Sequence, residues 1–131
     1  MRISLLRVAA WLVLLGFALA GCQSDQEAPA KAIEAYLAAK VESNVDEMTR
    51  LSCPAFEAQA QIEATSFASM DAQLDNVSCT TGGADGDYTL VNCTGKITTT
   101  YQGESREWSV ADHPYRALED GGEWLMCGYG Q

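Results

Sequence analysis

Two cysteines set symmetrically about a turn constrain this chain more than any other feature. Cys79 and Cys93 flank the run Gly82-Gly83-Ala84-Asp85-Gly86-Asp87, each seven residues from Gly86. Gly and Asp together supply the positive backbone angles and local hydrogen bonds that hairpin turns need. Val77 to Thr81 and Tyr88 to Tyr101, on either side, are rich in Thr, Val and Tyr, which suit a pleated surface. A hairpin centred on Gly86 puts Cys79 directly opposite Cys93, within reach of a bridge. Asp85 and Asp87 are spaced two apart, as in calcium loops, but the further oxygen ligands and the later Glu of such a loop are missing. Turn chemistry already explains both.

The strand texture continues to the C-terminus. Arg106 to Val110, Tyr115 to Asp120 and Glu123 to Tyr129 read as further strands. Gln102-Gly103 and Gly121-Gly122 supply turns, and Pro114 predicts a bend. Ahead of Asn76 the period is helical. Ile33, Tyr36, Leu37 and Val41 recur three or four apart behind Pro29, a first-turn residue. Asn44 is placed to cap a short helix carrying Val45, Met48 and Leu51. Ser52 is placed to cap a third, with Phe56, Ala60 and Phe67 along it and an end near Met70. Helices first, then an antiparallel meander, is the α+β pattern. The 131 residues make room for one domain.

The front of the chain obeys a different grammar. Arg2 and Arg7 precede an uncharged run from Val8 to Gly21, too short to span a bilayer core of roughly 20 residues. A basic start, an apolar middle and small residues before a cut describe a secretory signal peptide. Leu19-Ala20-Gly21-Cys22 resembles the lipobox of bacterial lipoproteins. That resemblance implies cleavage between Gly21 and Cys22, and acyl chains, palmitate among them, on Cys22. Two or three chains hold far longer than one, because each buried methylene contributes about 0.8 kcal/mol. The expected organisation is a signal peptide at 1–21, a lipidated cysteine and polar tether at 22–29, and a domain at 30–131. Gln23 stands where an inner-membrane retention signal would be Asp, so the resemblance implies the outer membrane in a cell with two.

Charge narrows the partners. The chain has 18 acidic and eight basic residues, and two of the basic ones precede Cys22, so the remainder carries −12. Such a surface repels nucleic acid and anionic headgroups, and no nucleic acid partner is expected.

Beyond the membrane disulfides are permitted. With Cys22 taken for lipid, Cys53, Cys79, Cys93 and Cys127 form an even set with three possible pairings. The hairpin register favours Cys79–Cys93, which leaves Cys53–Cys127. A zinc site is a poor alternative, since there is no Cys-x-x-Cys and His113 is the sole histidine. No cofactor or metal is expected. Asn76-Val77-Ser78 and Asn92-Cys93-Thr94 match the glycosylation sequon, here read as accidental.

The helix with Tyr36-Leu37, the break at Asn44-Val45-Asp46, and the closing run from Gly122 to Gly128 together resemble the nuclear transport factor 2-like superfamily, in particular its small bacterial lipoproteins. The resemblance covers Pro29 to Gln131. It implies N-terminal helices packed against a curved antiparallel sheet, a nuclear transport factor 2-like or cystatin-like cone that can hold a pocket. Members include enzymes, ligand-binding modules and protein-binding dimers, so the fold does not settle the function.

Tyr36, Tyr101, Trp108, His113 and Trp124 are the candidate pocket residues. Core packing is the default reading for the aromatic ones. A lyase or isomerase would draw on Asp112, His113, Tyr101 and Tyr115 for proton transfer and oxyanion support. No second histidine completes a dyad, and no catalytic residue is assigned. The expected role is a non-enzymatic module of the cell envelope, anchored to the membrane by lipid. It would bind a small apolar ligand, a protein partner or a second copy of itself. A cone-borne lyase or isomerase and a purely structural lipoprotein are the alternatives.

Overall fold

In the computed structural model, which describes residues 26–131, three helices precede five strands. Helix α1 (Ala28–Val41) carries Pro29 in its first turn and buries Ile33, Tyr36 and Leu37 on one face. Lys40 lies in its last turn, where a cation meets the negative end of the helix dipole. Asn44 caps α2 (Val45–Arg50), its Oδ1 accepting the Glu47 N–H at 3.1 Å. Met48 of α2 is fully buried against the core.

Ser52 does not cap the third helix. Its hydroxyl turns back to the Met48 carbonyl at 2.6 Å, and its backbone joins a parallel bridge to Met126. The Cys53 N–H donates to the Met126 carbonyl and the Met126 N–H to the Leu51 carbonyl, both at 2.8 Å. Residues 52 and 53 are thereby held beside Met126, ahead of the helix. Helix α3 (Glu57–Ala64) therefore starts behind Phe56 with no side-chain cap. The bridge also brings Cys53 to Cys127, with Cα atoms 5.0 Å apart in a disulfide.

One antiparallel sheet contains β1 (Asp71–Asp85), β2 (Tyr88–Tyr101), β3 (Glu104–Ser109), β4 (Tyr115–Asp120) and β5 (Glu123–Tyr129). The order is β1-β2-β4-β5, with β3 also on β2. Strand β2 changes partner along one edge: Thr89–Val91 pair with β4, and Lys96–Tyr101 pair with β3. The bend at Pro114 carries the chain from one stretch to the other.

Strand β1 begins at Asp71, earlier than the texture change at Asn76 suggests. Its opening residues, Asp71-Ala72-Gln73-Leu74-Asp75, have weak strand character, and pairing with Lys96–Thr100 overrides it. Cys79 stands opposite Cys93 in a disulfide with Cα atoms 4.0 Å apart. The turn itself is Gly86-Asp87, half a residue beyond the expected centre, because Asp85 pairs with Tyr88. A bulge restores the register. Gly82 and Gly83 together face Leu90, and Gly83 adopts φ +92° to make it possible. A second bulge sets Asn76 and Val77 against Gly95.

The core lies between the helices and one sheet face. Ile33, Leu37, Met48, Ala60, Phe67, Val91, Ile97 and Met126 meet there. A file of rings crosses it: Tyr36 to Phe56, Phe56 to Tyr129, and Tyr129 to Tyr115, with centroids 6.3, 6.1 and 5.3 Å apart. Among the described residues no helix is long and apolar enough to cross a membrane. The expected signal peptide, cleavage site and lipidated Cys22 lie outside the described residues.

Candidate functional site

The centre of interest is a carboxylate inside the apolar stripe of α3. Glu63 lies three residues after Ala60 and seven after Phe56, so helical geometry turns it toward the core, and α3 ends one residue later, short of the expected Met70. It is 8% exposed. Its Oε2 accepts the Tyr36 hydroxyl at 2.9 Å, the Tyr129 hydroxyl at 2.8 Å and the Lys40 ammonium at 3.1 Å. Gln59, one turn earlier, reaches Oε1 at 3.4 Å. A buried charge is tolerable only when paired and hydrogen-bonded, and Glu63 has both kinds of partner.

Lys40 is positioned by the same logic on α1. It follows Tyr36 by four residues and Leu37 by three, and so falls on the buried side. Tyr129 arrives from β5 through a bulge. The register shifts between the Arg116–Gly128 and Ala117–Met126 pairs, leaving Cys127 as the extra residue. Met126 and Tyr129, three apart, can then both reach the helical side.

Burial, then the neighbouring Glu63 carboxylate, raises the Tyr36 and Tyr129 phenols well above the ordinary range. Tyr115 is pushed up to about 12, mainly by burial, with Glu63 and Asp112 adding to the effect. Its hydroxyl donates to the Val110 carbonyl at 3.0 Å. All three phenols keep their protons and spend them inside the protein.

Next to this network is a cavity of about 210 Å³. Leu37, Phe67, Ile97, Trp108 and Val110 give it an apolar lining, and Lys40, Ser109, Tyr115 and Tyr129 add polar groups. Asp112 and His113 stand exposed at its margin. Trp108 is held by its indole N–H on Thr99 Oγ1 at 3.0 Å and by the Phe67 ring, 6.2 Å away. Even so, 44% of its surface stays exposed.

The cavity brings together two of the five residues expected there, Trp108 and His113. The other three lie elsewhere. Tyr36 is sealed in the core on Glu63. Tyr101 lies on the far side of Trp108, in a second hollow with Met70, Thr99 and Arg106. Trp124 lines a separate hollow with Ala28, Arg50 and Leu51. Glu63, Lys40 and Tyr129 were not singled out from sequence. The signal available was a charged residue at a stripe position in each helix; for Tyr129, simple alternation gives no signal.

Asp85, weighed as a calcium ligand, is engaged by Arg116, whose Nη2 and Nε lie 2.6 and 2.7 Å from Oδ2. Among the described residues no three His, Cys, Asp or Glu side chains converge as a metal site.

No family model matches the chain, and no curated protein matches it in sequence. A solved structure does share its fold: the solution structure of a SEC-C motif-containing protein from Rhodopseudomonas palustris. It superposes with a TM-score of 0.53 at 10% identity, over 80% of this chain and 79% of that one. At that identity the likeness is one of fold alone.

Proposed function

We propose that this chain is a lipid-anchored extracytoplasmic lipoprotein whose domain binds a small molecule beside Trp108, within a nuclear transport factor 2-like cone. The observation that carries the reading is the cavity itself, lined mainly by apolar side chains with a few polar groups among them. Ligand sites are typically built in this way, with a few polar groups fixing orientation. The lipobox-like Leu19-Ala20-Gly21-Cys22 supports the anchor, and the acidic mature chain suits an exposed, soluble domain.

The lyase or isomerase alternative has less support. Tyr115 has committed its proton to Val110, and His113 and Asp112 are solvent-exposed at the cavity margin, without hydrogen-bond partners that would fix them for proton transfer among the described residues. A protein partner or second copy is favoured by one observation: Tyr101 and Trp108 leave 50% and 44% of their surface uncovered on the β2–β3 arm.

Native mass spectrometry of the processed chain, with its disulfides intact, tests the reading. A copurifying small molecule is expected. A ligand-free monomer would count against binding of either kind. A mass lacking acyl chains on Cys22 would overturn the anchor.

A further inference from the structure

The hydrogen-bond inventory of the polar groups lining the cavity limits what can bind there. Lys40 carries three N–H donors, and Glu63 takes one. Tyr129 gives its only proton to Glu63, and Tyr115 gives its only proton to Val110. Both phenol oxygens therefore have lone pairs alone to offer, and Ser109, whose Oγ accepts the Ala111 N–H, is the hydroxyl on the lining that can still donate. Lys40 and Tyr129 are bonded to the same Glu63 oxygen, so a single functional group can span them. Glu63 balances the charge of Lys40, and Asp112 adds a negative charge at the margin.

These groups select by sign. A carboxylate would present oxygen lone pairs to two phenol oxygens that cannot donate, and would find the ammonium already neutralised. An ammonium would face Lys40. A plain hydrocarbon would leave the Lys40 N–H groups and phenol oxygens without partners once water is displaced, which is costly. A neutral group with a donor beside an acceptor satisfies both: its N–H donates to a phenol oxygen, and its carbonyl accepts from Lys40. Size sets the remainder. An apolar cavity of about 150 Å³ accommodates benzene. The present volume of about 210 Å³ leaves room for one ring and one small polar group.

Resting on the binding reading above, we infer that the cavity takes a neutral single-ring or short-chain molecule bearing an amide-like donor–acceptor pair, held by Lys40 and Tyr129 with its apolar part on Trp108 and Phe67.

Four probes of similar size separate the classes: benzamide, benzoate, benzylamine and ethylbenzene. Each is titrated by ligand-observed NMR against the full processed chain in lipid nanodiscs, with empty nanodiscs as the control. Benzamide is expected to bind about tenfold more tightly than the other three, the discrimination of one well-made buried hydrogen bond. Lys40→Met and Tyr129→Phe should each weaken benzamide about tenfold, and ethylbenzene should bind more tightly than to the parent, because the polar group it leaves unpartnered is gone. Two variants are used so that the loss of one fold does not decide the matter. Equal binding of all four probes, or a preference for benzoate, overturns the ligand class while the cavity reading stands. Binding of none, with a copurified ligand of another class, also overturns the class alone. Binding of none to a ligand-free chain overturns both.

Discussion

The Glu63 carboxylate accepts the Tyr129 hydroxyl at 2.8 Å across 66 residues of chain. With the Tyr36 and Lys40 bonds to the same oxygen, it ties α3 to α1 and to the last strand. Three elements thus depend on one oxygen atom.

Glu63→Leu is expected to destabilise the domain by about 3–5 kcal/mol, because it leaves a largely buried ammonium and two phenols without their acceptor. Glu63→Gln keeps an acceptor and should cost less. The ordering of urea midpoints at constant m-value checks this. A leucine variant as stable as the parent would show that the network is incidental.

High pH should unfold the domain steeply. Tyr36, Tyr115 and Tyr129 have folded pKa values raised above 10.0. Their stabilising effect is fully present below that value and is lost as pH rises through the folded values, since the unfolded chain releases protons the native one retains. With three groups involved, the slope approaches about 4 kcal/mol per pH unit near pH 11, once the unfolded phenols are ionised. Phenolate absorbance from these three should appear together with the loss of near-ultraviolet circular dichroism. Titration of all five tyrosines in a still-folded protein would contradict it.

The two disulfides should differ in worth. The Cys79–Cys93 loop spans 14 residues and the Cys53–Cys127 loop 74. Chain entropy assigns about 3 kcal/mol to the first and about 4.5 to the second. Double Cys→Ala variants compared by thermal unfolding should therefore rank the long bridge as the greater loss. Mass mapping of unreduced peptides tests the connectivity, and a Cys53–Cys79 peptide would refute it.

Gly95 should tolerate no side chain. It sits at φ +97° opposite the Asn76 bulge, and a Cβ there would run into the Asn76 carbonyl. Gly95→Ala is expected to cost about 2 kcal/mol or more, from backbone strain with a clash added. Gly86→Ala, at φ +61° with open space around it, should cost about 1 kcal/mol. Paired denaturation curves would expose a reversed order.

Much of the architecture is legible residue by residue. The Tyr36-Leu37 periodicity marks α1, Asn44 marks the cap of α2, and the Thr- and Val-rich runs mark the strands. Ser52 misleads because a local cap signal loses to a backbone bridge formed with Met126, 74 residues away. The cavity is legible only in part. Trp108 and His113 are conspicuous residue types, whereas Lys40 and Glu63 look like ordinary solvated charges until helical phase is applied to them.

The sequence by itself determines the element order, the turn chemistry and the near-symmetry that opposes Cys79 and Cys93, because these depend on residues close along the chain. Tertiary structure decides which carboxylate is buried, which phenol protons are already spent, and which of five candidate residues share a cavity. Those outcomes depend on bulges at Gly82-Gly83 and Cys127 that shift the facing of side chains, and on groups brought together from 23 to 66 residues apart. Local propensity encodes neither.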